Sequence, residues 1–357
     1  LHKKIIFHYP GPLFSETDTG EKKRPKKMLE SFQALGFDVT TLTGNYKQRE
    51  TEFKKIKKEI KTYDFIYSEN SNLPLATTGN TKFPNSNSVD HQLFKLAHLN
   101  NIPSGVFVRD IFWLLKETVL EKGLFKRFIG KMYFLKELNL YYENCSTIFL
   151  PTETMKGYLP PNPKQNFHLL PPGAEIIEFI KKEPKPTLNL IYVGSCKPPV
   201  YQVIDSFKSI LHCKIIHLTI VTKENEHERL KSFLGTNENL TIVYATNKAL
   251  SDVLQKQDIG LACIEANEYW DLAMPLKIFD YMGHQLPILT YQNGETASLI
   301  KKHELGWCIP HSNELEKFIA NLSAFEIQQK TASVKNYLSQ NTWLDRARTV
   351  IRQLSKN

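Results

Sequence analysis

The chain has 357 residues, is 41% hydrophobic and carries a formal net charge of +9. That length suits two folded domains better than one core, and no apolar run approaches the ~18 residues of a membrane span. Five cysteines (Cys145, Cys196, Cys213, Cys263 and Cys308) lie far apart and are odd in number, which argues against a disulfide framework or a metal cluster.

The N-terminal residues show no apolar block with a cleavage site, so a cytoplasmic protein with reduced thiols is expected. "KKIIFHYP" reads as the first strand, and "PKKMLESFQALG" as a helix with Pro25 near its start. "FDVTTLTG" and "YDFIYSEN" are strands, separated by the helix "ETEFKKIKKEIKT". A long Asn-, Thr- and Pro-rich loop, residues 71–87, is read as mobile or substrate-facing. "SVDHQLFKLAHLN" and "SGVFVRD" continue the alternation, followed by two helical stretches and the strand "STIFLP". Proline then concentrates in "YLPPNP", "LLPPG" and "KKEPKPT", as an interdomain connection would require, with "NFHLLPP" offering an edge strand.

Alternation restarts at "LNLIYVGS" and runs to helices around "TASVKNYLSQ" and "TWLDRARTVIRQL". The expectation is α/β, with two doubly wound parallel sheets. The boundaries are residues 1–170 for the first domain, 171–186 for a linker, 187–335 for the second domain, and 336–357 for a last helix crossing back. The basic clusters "EKKRPKK", "KKIKKEIK" and "KGLFKRFIGK" suit nucleic acid, anionic lipid or a phosphorylated ligand. No zinc finger, RNP-type segment or Gly-Xaa-Xaa-Gly loop accompanies them, so nucleic acid is not expected as a partner.

The densest chemistry lies in "DLAMPLKIFDYMGHQLPILTYQNG", Asp271 to Gly294. Pro275 opens a helix, "LPILTY" is a short buried strand, and Asn293-Gly294 reads as the closing turn. Tyr269, Trp270, Asp271, Lys277 and Asp280 cluster between a predicted strand and a helix. Backbone N–H groups at Ala273–Leu276, with Lys277 in the first turn, are suited to a phosphate.

The Pro-Xaa-Lys-Xaa-Xaa-acid-Tyr-Met pattern of "PLKIFDYM", followed by "LPI", together with "IYVGS" and "YLSQNTWLDRARTVI", resembles the GT-B-fold nucleotide-sugar glycosyltransferases of the large family-4-like group. The resemblance implies a GT-B fold, two Rossmann-like domains facing across a cleft, with an N-terminal acceptor domain and a C-terminal donor domain. It implies Lys277 at the donor diphosphate and Asp280 at the ribose hydroxyls, with Tyr269, Trp270, Asp271 and Gly194 nearby. Asp280 stands where glutamate is usual, and Gln285 where glycine is. The acidic residue that many retaining relatives carry eight positions earlier is Leu272 here, with Asp271 and Glu268 as neighbours.

In the first domain the resemblance points to a loop glycine after the first strand, for which Thr19 and Gly20 are the candidates. Lys22, Lys23 and Arg24 beside them are candidates for a phosphate. Arg109 and Asp110 in "GVFVRDIFW" would steady negative charge and orient or deprotonate an acceptor hydroxyl; an internal ion pair is the competing reading. His8 is weighed as a base and, equally, as a satisfied core histidine. No metal site and no resident cofactor are expected, because Lys, Arg and helix amides can neutralise a leaving diphosphate.

The implied activity moves a hexose or N-acetylhexosamine from a nucleotide sugar, UDP-linked as the family prior, to a sugar hydroxyl. Acceptors in that scheme are glycans, including polyprenyl-diphosphate-linked surface-polysaccharide precursors, and a retaining outcome is favoured. "EKGLFKRFIGKMYFLKE" is basic and apolar at helical spacing. It suits an anionic membrane surface, placing the protein on the inner face of a bacterial membrane, or packing on the sheet. A noncatalytic glycosyltransferase-like subunit and a sugar-nucleotide epimerase are the alternatives. Oligomeric state is not legible.

Overall fold

The computed structural model describes residues 3–14, 20–79, 84–115, 124–178, 187–198 and 200–355. The chain divides into two compact units, Leu1–Gly173 with Trp343–Asn357, and Ala174–Thr342.

The first unit runs β1 (Lys4–His8), α1 (Gly20–Ala34), β2 (Asp38–Leu42), α2 (Tyr46–Glu59), β3 (Phe65–Glu69), α3 (Val89–Leu99), β4 (Ser104–Phe107), α4 (Leu124–Asn144), β5 (Thr147–Leu150), α5 (Thr154–Tyr158) and β6 (Asn166–Leu169). Its six strands lie in the order β2-β1-β3-β4-β5-β6, parallel throughout. Central strands β3, β4 and β5 are buried at every residue, while β2 and β6 at the edges are half-exposed. Helices on both faces of a parallel sheet demand that pattern.

The second unit begins with β7 (Leu188–Val193), α6 (Ile204–Ile210), β8 (Ile216–Val221), α7 (His227–Leu234), β9 (Leu240–Val243), α8 (Asn247–Leu254) and β10 (Ile259–Ala262). It continues through α9 (Glu268–Leu272), α10 (Leu276–Gly283), β11 (Ile288–Tyr291), α11 (Gly294–His303), β12 (Gly306–Ile309), α12 (Leu315–Ala320) and α13 (Ala324–Leu338). Its sheet order is β12-β11-β10-β7-β8-β9, again parallel. Leu190 and Tyr192 pack in the core on one face with Phe207 and Leu218, and Ile191 packs on the other with Ile278, Phe279 and Met282. Alternate residues of one strand thus feed two cores.

The chain then closes on the first unit. Helix α14 (Trp343–Leu354) buries Trp343, Arg346, Ala347, Val350 and Leu354 along one stripe. A Cβ at Gly105 on β4 would meet Leu354 at 2.9 Å and Phe149 at 2.7 Å, so the close approach of α14 requires glycine there.

Two local readings differ from the structure. Helix α1 begins at Gly20, which leaves Pro25 inside it rather than at its start. Asn293-Gly294 is not a closing turn: Asn293 precedes Gly294 as the N-cap position of α11. Among the described residues, no helix is long and apolar enough to cross a membrane.

Candidate active site

In a doubly wound sheet, ligands gather outside the strand C-termini where chain order reverses. In the second unit this point lies between β7 and β10, because β8 and β9 continue to one side of β7 and β10 and β11 extend the other. Of the residues singled out in this half, Trp270, Asp271 and Lys277 line one pocket here, with Gly194 beside Lys277.

Lys277, one residue into α10, has its Nζ 3.8 Å from the centroid of the Tyr192 ring and 5.8 Å from that of Tyr201. Its ammonium is buried and has no hydrogen-bond partner. Burial pushes its pKa down to about 7, only partly opposed by the Cys196 thiol. Gly194 follows β7 at φ 131°, where side chains are strained, and a Cβ there would come within 3.2 Å of Lys277 Nζ. The glycine therefore keeps the space before the ammonium open.

A pocket beside Lys277 is lined by Trp270, Asp271, Pro275, Tyr291, Asn293 and Thr296 among others. It brings the beginnings of α10 and α11 against the ends of β10 and β11. Trp270 is fixed by its indole N–H, which donates to Val200 O at 2.6 Å, and by the rings of Tyr201 and Tyr269, each 5.3 Å away. Asp271 lines the pocket, and partial burial raises its carboxyl pKa. Leu272, in the register where a carboxylate is usual, is buried in the unit instead. Asp280 lies one turn beyond Lys277 and is half-buried; its backbone carbonyl accepts from His284 Nδ1 at 2.8 Å. Gln285, in the glycine position, adopts φ 59°, the backbone conformation glycine would take without strain.

Sequence reasoning missed Glu226 and Arg229. Glu226 accepts from the Ser195 hydroxyl and from Cys196 N–H, both at 2.7 Å, while Arg229 donates to Cys196 O at 2.8 Å. The partners lie about thirty residues apart, and no local motif links them.

The first unit has its own reversal point, between β1 and β3. His8, at the end of β1, is fully buried; Nδ1 is 2.7 Å from Ser68 Oγ and Nε2 3.0 Å from Asp90 Oδ1. Both ring nitrogens are thus engaged within the core. Arg49 donates to both oxygens of Asp90, at 2.8 and 3.1 Å. Arg24, one of the phosphate candidates, is instead buried against Glu69, with Nε 3.1 Å from each carboxylate oxygen and its guanidinium 3.4 Å from the Phe107 ring centroid.

Arg109 and Asp110 follow β4 and are half-buried. Arg109 N donates to Asn70 Oδ1 at 2.8 Å, its guanidinium lies 4.0 Å from Glu21, and Asp110 Oδ1 accepts from Phe112 N at 2.9 Å. Gly20 is the first residue of α1, and Thr19 lies outside the described residues.

Residues 206–342 match the family model described as glucosyltransferase 3-like, C-terminal domain. The second unit carries a glycosyltransferase domain. Solved structures similar to the whole chain include HepE of Anabaena in complex with UDP and glucose, at 13% identity and TM-score 0.64, covering 99% of this chain and 100% of that one. WaaG, a glycosyltransferase involved in lipopolysaccharide biosynthesis, aligns at 14% identity and TM-score 0.65, covering 99% and 100%. A glycosyltransferase from Rickettsia africae aligns at 11% and 0.64, covering 99% and 98%. No curated protein matches by sequence.

The chain has the GT-B fold, and most of its second unit matches a glucosyltransferase-like domain. In this GT-B chain the glycosyltransferase-domain match spans α6 to α13, including α10 and the pocket beside it.

Proposed function

We propose that this GT-B enzyme transfers a hexose or N-acetylhexosamine from a nucleotide sugar, UDP-linked in the first instance, to a sugar hydroxyl on a lipid-linked glycan or surface-polysaccharide precursor. The observation that carries the donor assignment is Lys277: a buried ammonium with no hydrogen-bond partner is costly, and a diphosphate supplies the missing acceptor and charge. HepE, whose structure holds UDP and glucose, supports UDP as the nucleotide.

In this reading Lys277 and the start of α10 neutralise the leaving diphosphate without requiring a metal ion. Asp280 holds the ribose, and Asp271, in place of the acid missing at Leu272, meets the sugar hydroxyls. Trp270 walls the pocket, with Tyr269 packed against its ring. The first unit binds the acceptor, with Asp110 orienting its hydroxyl, Arg109 steadying negative charge, and His8 holding the end of β1 in place; Thr19 and Gly20 belong to the same side. Transfer with retention breaks the C1–diphosphate bond and forms the new C1–oxygen bond on the same face, with the acceptor proton passing to the departing phosphate. Incubation with a panel of nucleotide sugars and membrane glycolipid extracts, followed by mass spectrometry, is expected to show a hexose or N-acetylhexosamine mass added to a glycolipid and matching nucleotide release, undiminished by EDTA. Nucleotide sugar consumed without an acceptor product would refute the reading.

We also place the protein at an anionic membrane surface, through α4. Phe128 and Met132, one turn apart on that helix, are 63% and 38% exposed, with exposed Lys131 and Lys136 beside them. Phe134 and Leu138 are buried instead, Phe134 against the rings of Phe112 and Trp113. An apolar stripe flanked by lysines suits the headgroup region of acidic lipid. The protein is expected to sediment with phosphatidylglycerol vesicles at low salt and not with phosphatidylcholine. Replacing Lys126, Arg127 and Lys131 by Glu should weaken sedimentation without abolishing nucleotide binding. Wild-type protein that stays in the supernatant with acidic vesicles would remove the membrane from the proposal.

A further inference from the structure

We propose that Glu226 is a positioning residue, which sets the conformation of the Gly194–Lys197 loop so that Ser195 N–H serves the donor diphosphate together with Lys277. The inference rests on the donor reading above and concerns residues with no part in it so far.

The loop after β7 is held at almost every polar atom. Gly194 N donates to Val221 O at 2.9 Å, Cys196 N to Glu226 Oε2 at 2.7 Å, and Lys197 N to Ser195 Oγ at 3.2 Å. The carbonyl of Ser195 accepts from Tyr192 OH at 2.8 Å, and its hydroxyl donates to Glu226 Oε1 at 2.7 Å. Among the described residues, Ser195 N–H is left as the one amide of 194–197 without a partner. The residue before it, Gly194, is the one that fronts Lys277 Nζ. A loop with one unmatched donor next to an unmatched ammonium is arranged to receive an acceptor with several oxygens.

Glu226 does this from outside the loop. Its carboxylate is buried at the N-cap of α7 and takes two donors from consecutive residues. Arg229, one turn along, reaches the same carboxylate at 3.5 Å and closes on Cys196 O at 2.8 Å. A carboxylate close to an anion site opposes anion binding unless it is offset, and Arg229 supplies the offset. Such a pair makes sense as a clamp: it fixes the two peptides that flank Cys196, so the 194–195 peptide before them cannot rotate away. The chemistry favours a carboxylate at 226, because a single group must accept from an amide and a hydroxyl at once.

The test uses calorimetric titration of the full chain with UDP, GDP, ADP and dTDP, followed by the nucleoside of whichever diphosphate binds tightest. Glu226→Ala should weaken that diphosphate roughly 30-fold, the equivalent of two hydrogen bonds of ordinary strength. The nucleoside should weaken less than about threefold, since the clamp acts on the phosphate end. Glu226→Gln can accept from Cys196 N–H and donate to Ser195 Oγ, so it should recover most of the loss. A merely structural role would depress nucleoside and diphosphate together and would not be rescued in this selective way.

Equal losses for both ligands, or wild-type diphosphate affinity in Glu226→Ala, overturn the proposal. Lys277→Ala run in parallel separates it from its foundation. A loss there with none in Glu226→Ala sinks the clamp and leaves the donor site standing. No loss in Lys277→Ala removes the donor site and the clamp with it, as does a wild-type protein that binds none of the four diphosphates.

Discussion

Binding of a nucleoside diphosphate is expected to take up a proton, and its affinity to fall as pH rises above 7. The reason is Lys277. Burial holds its ammonium at about 7 in the folded chain, against 10.5 for an ordinary lysine, so near neutral pH much of the protein carries a neutral amine there. A diphosphate beside it favours the charged form, and binding must supply the missing proton. Above pH 7 the phosphates are already fully ionised, their last pKa being about 6. Affinity should therefore fall about tenfold per pH unit between roughly 7.5 and 9.5. Calorimetry in buffers of different ionisation enthalpy measures the uptake directly: about half a proton per ligand at pH 7, rising towards one at pH 8.5.

The same group makes the unliganded fold respond to pH in the opposite sense to an ordinary lysine ion pair. Between about 7 and 10.5 the unfolded chain holds a proton that the folded chain has released, so stability rises with pH across that window. Lys277→Met should abolish the rise and stabilise the empty protein at pH 7 by about 1–3 kcal/mol, while weakening the diphosphate more than about 100-fold. No proton uptake in wild type, or a Lys277→Met variant that binds as well as wild type, would take Lys277 out of the donor site.

Lys277 stands out in the sequence because its chemistry lies in one local run: proline, lysine and a carboxylate spaced along the first turns of a helix after a strand. Both sheets were legible for a related reason, since runs such as "GVFV" and "LIYV" are apolar without break. That is the mark of strands covered on both faces. What escaped was every interaction made at long range. Arg24 and Glu69 are 45 residues apart, His8 and Asp90 82 apart, and Glu226 and Cys196 30 apart. Composition records such residues only as solvated charge, and folding alone decides which of them meet. The loop after β3 shows the same limit. Its polar composition reads as mobile or substrate-facing and gives no sign that Leu75 N donates to Glu137 at 2.7 Å or that Thr78 O accepts from Arg49 at 3.0 Å.

Removing Asp90 is expected to be the most destabilising single change in the first unit. Its carboxylate is fully buried and receives Arg49 through two nitrogens and His8 through Nε2. Desolvation alone would raise its pKa, but the hydrogen bond and charge of His8 and the charge of Arg49 more than reverse that and hold it at about 2. In Asp90→Ala, Arg49 keeps the carbonyl oxygens of Gly44 and Thr78 and loses its counter-charge in a buried site. An uncompensated buried guanidinium costs about 3–5 kcal/mol, a large share of a typical domain's stability.

The double variant Arg49→Met, Asp90→Leu should recover most of that loss, because the penalty belongs to the stranded charge and not to the missing contact. The pair's contribution is present above the ordinary aspartate pKa of 3.8 and disappears as pH falls from there towards 2. Because the chain forms two units, one global midpoint would blur the effect, and hydrogen exchange read by mass spectrometry resolves it. Peptides covering β1, β3 and α3 should lose protection in Asp90→Ala while those of β7, β10 and β11 keep theirs. If Asp90→Ala leaves β1 and β3 as protected as wild type, or if the double variant is no more stable than the single one, the charged network is not what holds the strand ends of the first unit together.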